Sequence, residues 1–153
     1  MAIPESRAEV TRRLSVPPER VFAAFASADL VARWLSPSPD IALEVLTYDF
    51  RVNGRYRFAY LVPPTGQVMH VQGSFQEIVP PRQLVFSWII EPPDEHAGID
   101  SEVRVSIAAV PGGAILTIVH ERLDQPGAVE RHAAGWIGAL DRLASLLRTG
   151  AKG

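Results

Sequence analysis

The stretch HAAGWIGALDRLASLL, residues 132–147, decides how the rest of the chain must be arranged. Five of its side chains recur in steps of four, four, three and four residues and therefore share one face of a helix: His132, Trp136, Leu140, Leu143 and Leu147. A helix with one broad apolar face needs a surface to cover. The indole and the imidazole near the start of this leucine-rich face indicate that it covers something larger than close-packed methyl groups.

A sheet is the predicted partner of this helix. Between residues 41 and 121 the hydrophobic period shortens to two, which indicates strands. Turn pairs such as Asn53-Gly54 and Gly112-Gly113 keep the connections short. Because short connections join antiparallel neighbours, six consecutive strands should form a meander.

The residues on either side of the meander complete the architecture. A first strand is predicted at 10–16, and apolar residues at helical spacing predict two short helices at about 19–26 and 29–35. The apolar face of the long helix, at about 127–148, covers one side of the sheet. The predicted fold class is α+β, a curved antiparallel sheet of about six to seven strands around a long C-terminal helix, with two short helices after the first strand.

Composition limits the classes of function. The 153 residues predict a single domain at 9–149, with terminal tails at 1–8 and 150–153. A net charge of -2 with interspersed signs predicts no nucleic-acid partner. The chain has no cysteine, and its four histidines lack ligand spacing, so no metal site and no cofactor are predicted. With no signal peptide and no run of about 18 apolar residues, we expect a cytoplasmic protein without a membrane span.

Several segments resemble the domain family named after activators of the Hsp90 ATPase. The resemblance covers about residues 9–148 and rests on PPERVF at 17–22, DFRVNG at 49–54, GSFQEI at 73–78, PRQLVFSW at 81–88 and HAAGW at 132–136. It implies the helix-grip fold of START lipid-transfer domains, plant pathogenesis-related proteins and polyketide cyclases. Members of that group resemble one another in having a cavity between the sheet and the C-terminal helix.

The predicted cavity lies between the apolar face of the long helix and the inward face of the sheet. Gly73, in the middle of a central strand, removes side-chain volume there or accommodates a bend. His120 shares strand parity with inward residues, and together with His132 it would form a polar spot in an apolar pocket. The candidate ligand-binding residues are Trp34, Phe58, Tyr60, Val71, Phe75, Phe86, Trp88, His120, His132, Trp136 and Leu140.

Two groups of charged residues are expected to be structural. Asp49 and Arg51 should form an ion pair or a turn contact rather than a catalytic dyad. Glu91, Asp94 and Glu95 lie in a proline-containing segment that predicts a solvated loop.

Three functions fit these patterns. The first is binding of an apolar or aromatic small molecule, lipid-like or polyketide-like, in the internal cavity. The second is a co-chaperone-like module that binds a protein partner such as Hsp90, and the third is a polyketide cyclase-like enzyme that uses His120. No nucleophile elbow, phosphate loop or metal signature is present, so no catalytic residue is assigned and binding is favoured over catalysis. An exposed strand edge would allow a homodimer.

Overall fold

The computed structural model describes residues 6–149, and these residues form seven strands and three helices. In chain order the elements are β1 (Ala8–Leu14), α1 (Pro18–Ala26), α2 (Ala28–Trp34), β2 (Ala42–Tyr48), β3 (Arg55–Val62), β4 (Gln67–Val79), β5 (Gln83–Ile90), β6 (Ser101–Val110), β7 (Gly113–Glu121) and α3 (Ala128–Thr149). The predicted element order is confirmed, although β1 begins two residues earlier than expected. Of the predicted tails, residues 1–5 and 150–153 lie outside the described part of the chain.

The seven strands form one antiparallel sheet in the order β1-β7-β6-β5-β4-β3-β2. Strands β2 to β7 are the predicted meander, and β1 is added at the far edge beside β7. Asn53 and Gly112 adopt positive φ angles of 68° and 81° in the connecting turns. These are the left-handed conformations that asparagine and glycine tolerate best, which explains how connections so short reverse the chain.

Two interruptions in strand pairing bend the sheet. The register shifts between Val45 and Thr47 on β2 and between Phe75 and Glu77 on β4. Bulges of this kind increase the local twist and turn a strand away from its neighbour. The sheet is therefore curved, and its concave face receives α3, which is the predicted helix-grip arrangement.

Aromatic rings fill the deep part of the concave face. Trp34 is 0% exposed, and its indole Nε1–H donates to the carbonyl of Ala24 at 3.0 Å. The rings of Phe58, Phe75 and Phe86 are at most 4% exposed and lie against other rings of the sheet. Burial of each large apolar side chain stabilises the fold by about 1.5–3 kcal/mol, so these rings contribute strongly to the hydrophobic core.

Gly73 has a different role from the one that the sequence suggested. A Cβ at this position would lie 2.1 Å from the carbonyl oxygen of Ser87 and 2.7 Å from the Tyr56 ring. Tyr56 pairs directly with Gly73 across β3 and β4, and its hydroxyl donates to the Ser87 carbonyl at 2.6 Å. The volume that the glycine leaves is thus filled by the Tyr56 ring. The expectation that Gly73 opens a cavity is wrong.

Candidate functional site

A cavity of about 470 Å³ lies at one end of the concave face. Its walls are the first half of α3, the segment that follows α2, and the ends of β3, β4 and β5. A volume of this size lies within the range of about 300–1,000 Å³ that is typical of small-molecule sites. Most of the lining is apolar, and its polar groups belong to Ser36, Arg131 and His132, to the Tyr60 hydroxyl and to the indole N–H groups of Trp88 and Trp136.

The structure brings four of the eleven predicted site residues to this cavity: Tyr60, Trp88, His132 and Trp136. The other seven lie away from its walls: Trp34, Phe58, Val71, Phe75, Phe86, His120 and Leu140. Strand and helix periodicity predicts which face a side chain shares, but it carries no information on depth along that face. All seven are buried.

The segment between α2 and β2 supplies walls that the sequence analysis missed. Leu35, Pro37 and Ile41 line the cavity, and Pro37 lies directly on α3. A Cβ on Gly138 would approach the Pro37 carbonyl oxygen to 2.0 Å, so only glycine allows the two backbones to come this close. A glycine inside a strongly periodic helix was therefore the signal in the sequence for a segment crossing α3.

Three hydrogen bonds hold this segment in place. The Tyr60 hydroxyl donates to the Leu35 carbonyl at 2.9 Å, and the Ser36 hydroxyl donates to the Ile41 carbonyl at 2.5 Å. Arg142 on α3 donates to the Ser38 carbonyl at 3.3 Å. Burial raises the pKa of Tyr60, which keeps its hydroxyl protonated and able to donate. The wall is fixed before any ligand arrives.

His120 is fully buried beside the cavity, and both of its ring nitrogens are occupied. Nδ1 accepts the indole N–H of Trp136 at 3.1 Å, so the proton of the neutral ring is on Nε2. That Nε2–H donates to the Ser101 hydroxyl at 2.8 Å, and Ser101 donates in turn to the Trp88 carbonyl at 2.5 Å. Burial, together with the nearby His132, holds the pKa of His120 well below its usual value, so the ring is neutral. It has no nitrogen left for a ligand or for proton transfer.

His132 packs edge-on against His120, with ring centroids 4.7 Å apart, and it lines the cavity. Its Nδ1–H donates to the Ala128 carbonyl at 2.7 Å, which leaves the lone pair on Nε2. Burial and the neighbouring positive charge of Arg131 lower the pKa of His132, despite the opposing effect of its bond to the backbone. The two predicted histidines are thus adjacent, and His132 is the one with a free acceptor.

Arg131 forms the charged edge of the cavity and was not predicted. Its guanidinium donates to both carboxylate oxygens of Asp94, at 2.6 and 2.7 Å, and also to Nδ1 of His96 at 2.9 Å. The hydrogen bonds from Arg131 lower the pKa of Asp94, so the pair is ionised at neutral pH. The expectation of a solvated acidic loop is wrong at Asp94, whose side chain is 16% exposed and anchors the loop to α3.

A second part of that expectation also differs from the structure. The Glu91 carboxylate accepts two hydrogen bonds from Arg57, both at 2.9 Å, so Glu91 belongs to an ion pair across the sheet. The expected pair between Asp49 and Arg51 is present, with Arg51 Nε 2.8 Å from a carboxylate oxygen of Asp49. Asp49 is therefore engaged in this turn.

Comparison with known sequences identifies the family of this chain. The sequence profile of the activator of Hsp90 ATPase homolog 1-like proteins, AHSA1, matches residues 15–148. The chain belongs to the AHSA1-like family. A comparison with functionally curated proteins finds no match.

Solved structures share the fold of this chain. Protein CV1439 from Chromobacterium violaceum is 31% identical, with a TM-score of 0.83, and the match covers 94% of this chain and 97% of that protein. An AHSA1 protein from Silicibacter pomeroyi is 24% identical, with a TM-score of 0.81, over 94% of this chain and 99% of the other. DynU16, from the dynemicin biosynthetic locus, is 21% identical with a TM-score of 0.75, and the match covers 96% of this chain but 49% of that protein.

Two further observations on this AHSA1-like domain concern metal ions and membranes. Within residues 6–149, no three side chains of histidine or acidic residues are grouped so as to bind a metal ion. In the same part of the chain, none of the helices has the length and hydropathy needed to cross a bilayer.

Proposed function

We propose that this AHSA1-like domain binds an apolar, ring-bearing small molecule in the cavity beside α3. The observation that carries the proposal is the cavity itself: about 470 Å³, walled by rings and aliphatic groups, beside the hydrophobic core. Trp88, Trp136 and Tyr60 supply flat apolar surface, and Met69 supplies a polarisable thioether. Lipid-like and polyketide-like compounds are the two ligand classes that suit such walls.

The fixed wall favours binding. Because Leu35, Ser36 and Ser38 are already bonded, a ligand does not have to order this segment, and the conformational cost of association is reduced. Burial of roughly 250 Å² of ligand surface at about 25 cal/mol/Å² gives about 6 kcal/mol before the costs of association. Because 6 kcal/mol corresponds to a dissociation constant of about 40 μM even before these costs, we expect an affinity of tens of micromolar or weaker.

A fluorescence titration tests the proposal. N-phenyl-1-naphthylamine, a neutral probe that brightens in apolar surroundings, should bind with one-to-one stoichiometry. Ala134 is an exposed residue on the cavity wall, and Ala134→Phe should obstruct the opening and weaken binding about tenfold or more. The matched control is Ile137→Phe, which places the same ring on the same helix at a position that is 53% exposed and outside the cavity. Absence of binding, or equal binding by both variants, would refute the proposed site.

Action on a chaperone is the second candidate, and its support is the description of the matching family, which names activation of the Hsp90 ATPase. If this function holds, the purified chain should stimulate the ATPase of Hsp90 at micromolar concentration. No stimulation and no complex at tens of micromolar would exclude it. A cytoplasmic location and a homodimer stay predictions of the sequence.

A cyclase that uses His120 is less well supported than binding. Both nitrogens of His120 are committed to Trp136 and Ser101, so it could act as a base only after this network had broken. His132 is the group with an available lone pair, which supports a role in binding.

A further inference from the structure

The hydrogen-bonding groups of the cavity specify more than an apolar ligand. We propose that the ligand is a neutral ring compound that carries a hydroxyl group, and that this hydroxyl donates a hydrogen bond to Nε2 of His132. The inference rests on the proposed function, because it names the class of molecule that the same cavity accepts. The inference follows from which polar groups of the lining already have a hydrogen-bond partner within the protein and which do not.

Most polar side chains of the lining are satisfied within the protein. The Ser36 hydroxyl donates to Ile41, and the Tyr60 hydroxyl donates to Leu35. Arg131 is bonded to Asp94 through both of its terminal nitrogens. None of these groups requires a ligand partner, because the donor hydrogen of each hydroxyl and both terminal nitrogens of Arg131 are already bonded.

His132 is the exception on the acceptor side. Its Nδ1–H is used by Ala128, and no described residue donates to Nε2. Nε2 is also not among the side-chain atoms that are sealed from solvent without a partner, so it keeps some exposed surface, and His132 is one of the residues that line the cavity. A neutral imidazole nitrogen with a free lone pair accepts hydrogen bonds and does not donate them. The ligand group that meets it must therefore carry an O–H or an N–H.

Trp88 is the exception on the donor side. Its ring lines the cavity, and its indole Nε1–H is buried with no hydrogen-bond partner. Unpartnered buried donors are rare in folded proteins, and a group on a bound molecule is one way to satisfy them. A hydroxyl donates to Nε2 of His132 and keeps its lone pairs, so it can also accept the Trp88 N–H once a turn of that ring exposes this sealed atom to the cavity.

The charge of the cavity selects against anions. Among the lining residues within 6–149, Arg131 is the one cationic side chain, and the Asp94 carboxylate neutralises it through two short hydrogen bonds. A carboxylate ligand would give up its water without gaining a free positive charge, and it offers no proton to His132. Fatty-acid and aryl-carboxylate anions should therefore bind more weakly than neutral alcohols or phenols of the same size.

Displacement of N-phenyl-1-naphthylamine at neutral pH by three matched compounds tests the inference. We expect 2-naphthol to bind about threefold to tenfold more tightly than naphthalene, because it adds one hydrogen bond. The anion 2-naphthoate should be the weakest of the three. His132→Phe keeps a ring but loses the acceptor, and it should reduce the affinity for 2-naphthol to that for naphthalene. His132→Gln, which can present an amide oxygen near the same place, should restore part of the preference.

The outcomes separate the two proposals. If the probe does not bind, the proposed function fails. If the probe binds but 2-naphthol and naphthalene compete equally, or 2-naphthoate competes best, the hydroxyl inference fails while the cavity proposal stands. His70→Phe is the control, because His70 lies on the outward-facing set of β4 and outside the cavity. Loss of the naphthol preference in this variant as well, or its survival in His132→Phe, would overturn the role of His132.

Discussion

Replacement of Gly138 by alanine should destabilise the protein, although alanine is the better helix former. The added Cβ would lie 2.0 Å from the Pro37 carbonyl oxygen, 2.9 Å from its carbon and 3.3 Å from its Cα. The segment around Pro37 cannot retreat cheaply, because hydrogen bonds to Leu35 and Ser38 fix it on both sides. Overpacking of this kind costs about 1–3 kcal/mol, which exceeds the gain of about 0.5–1 kcal/mol from helix propensity. We expect a net loss of roughly 1–2 kcal/mol.

Gly135 is the matched control for this substitution. It lies one turn earlier on α3, and a Cβ there meets nothing nearer than the Pro37 side chain at 3.8 Å, which is ordinary contact. Gly135→Ala should therefore stabilise the protein by up to about 1 kcal/mol. Urea denaturation of the two variants and the wild type measures both effects. Equal stabilisation by both substitutions would refute the close packing of the Pro37 segment on α3.

Three further predictions concern protons and hydrogen bonds. Burial lowers the pKa of both His120 and His132 from 6.5, so the unfolded chain takes up protons first as the pH falls. The free energy of unfolding should be constant just above pH 6.5 and should decrease as the pH is lowered further. The decrease is up to about 1.4 kcal/mol per pH unit for each histidine, until the pKa of that histidine in the folded state is reached. A flat profile in urea denaturation between about pH 6.5 and 5 would contradict this. Tyr60→Phe should cost about 1 kcal/mol in the same assay, because the Leu35 carbonyl loses its donor, and an unchanged stability would show that this bond does not hold the wall. Asp94→Asn should free the charge of Arg131 and strengthen 2-naphthoate binding several-fold in the displacement assay, whereas unchanged binding would show that Asp94 does not screen this charge.

The architecture could be predicted from local patterns because each pattern has a single simple cause. Alternation fixes which side chains share a face of a strand, and turn pairs such as Asn53-Gly54 fix the antiparallel order. The apolar face from His132 to Leu147 then requires a partner surface, and the meander is the one available. These rules act over a few residues, so they remain valid without knowledge of the whole structure.

The position of the cavity could not be predicted in the same way. Phe58 and Tyr60 have the same parity on β3, yet Tyr60 lines the cavity and Phe58 lies in the core. Which of the two meets a void depends on the Pro37 segment, which is far from β3 in sequence. The pairing of Arg131 with Asp94 is likewise a contact between distant segments, and it holds the acidic loop against the charged edge of the cavity. Gly138 was the local sequence feature that indicated the packing of the Pro37 segment on α3.

The indole N–H signals of the three tryptophans provide the most direct test of the cavity. Trp88 and Trp136 line it, whereas Trp34 is buried in the core with its N–H bonded to Ala24. In a ¹H–¹⁵N correlation spectrum recorded during titration with 2-naphthol, the Trp88 and Trp136 indole signals should shift while the Trp34 signal stays in place. Equal shifts of all three signals, or movement confined to residues on the outer face of the sheet, would contradict binding in the cavity beside α3.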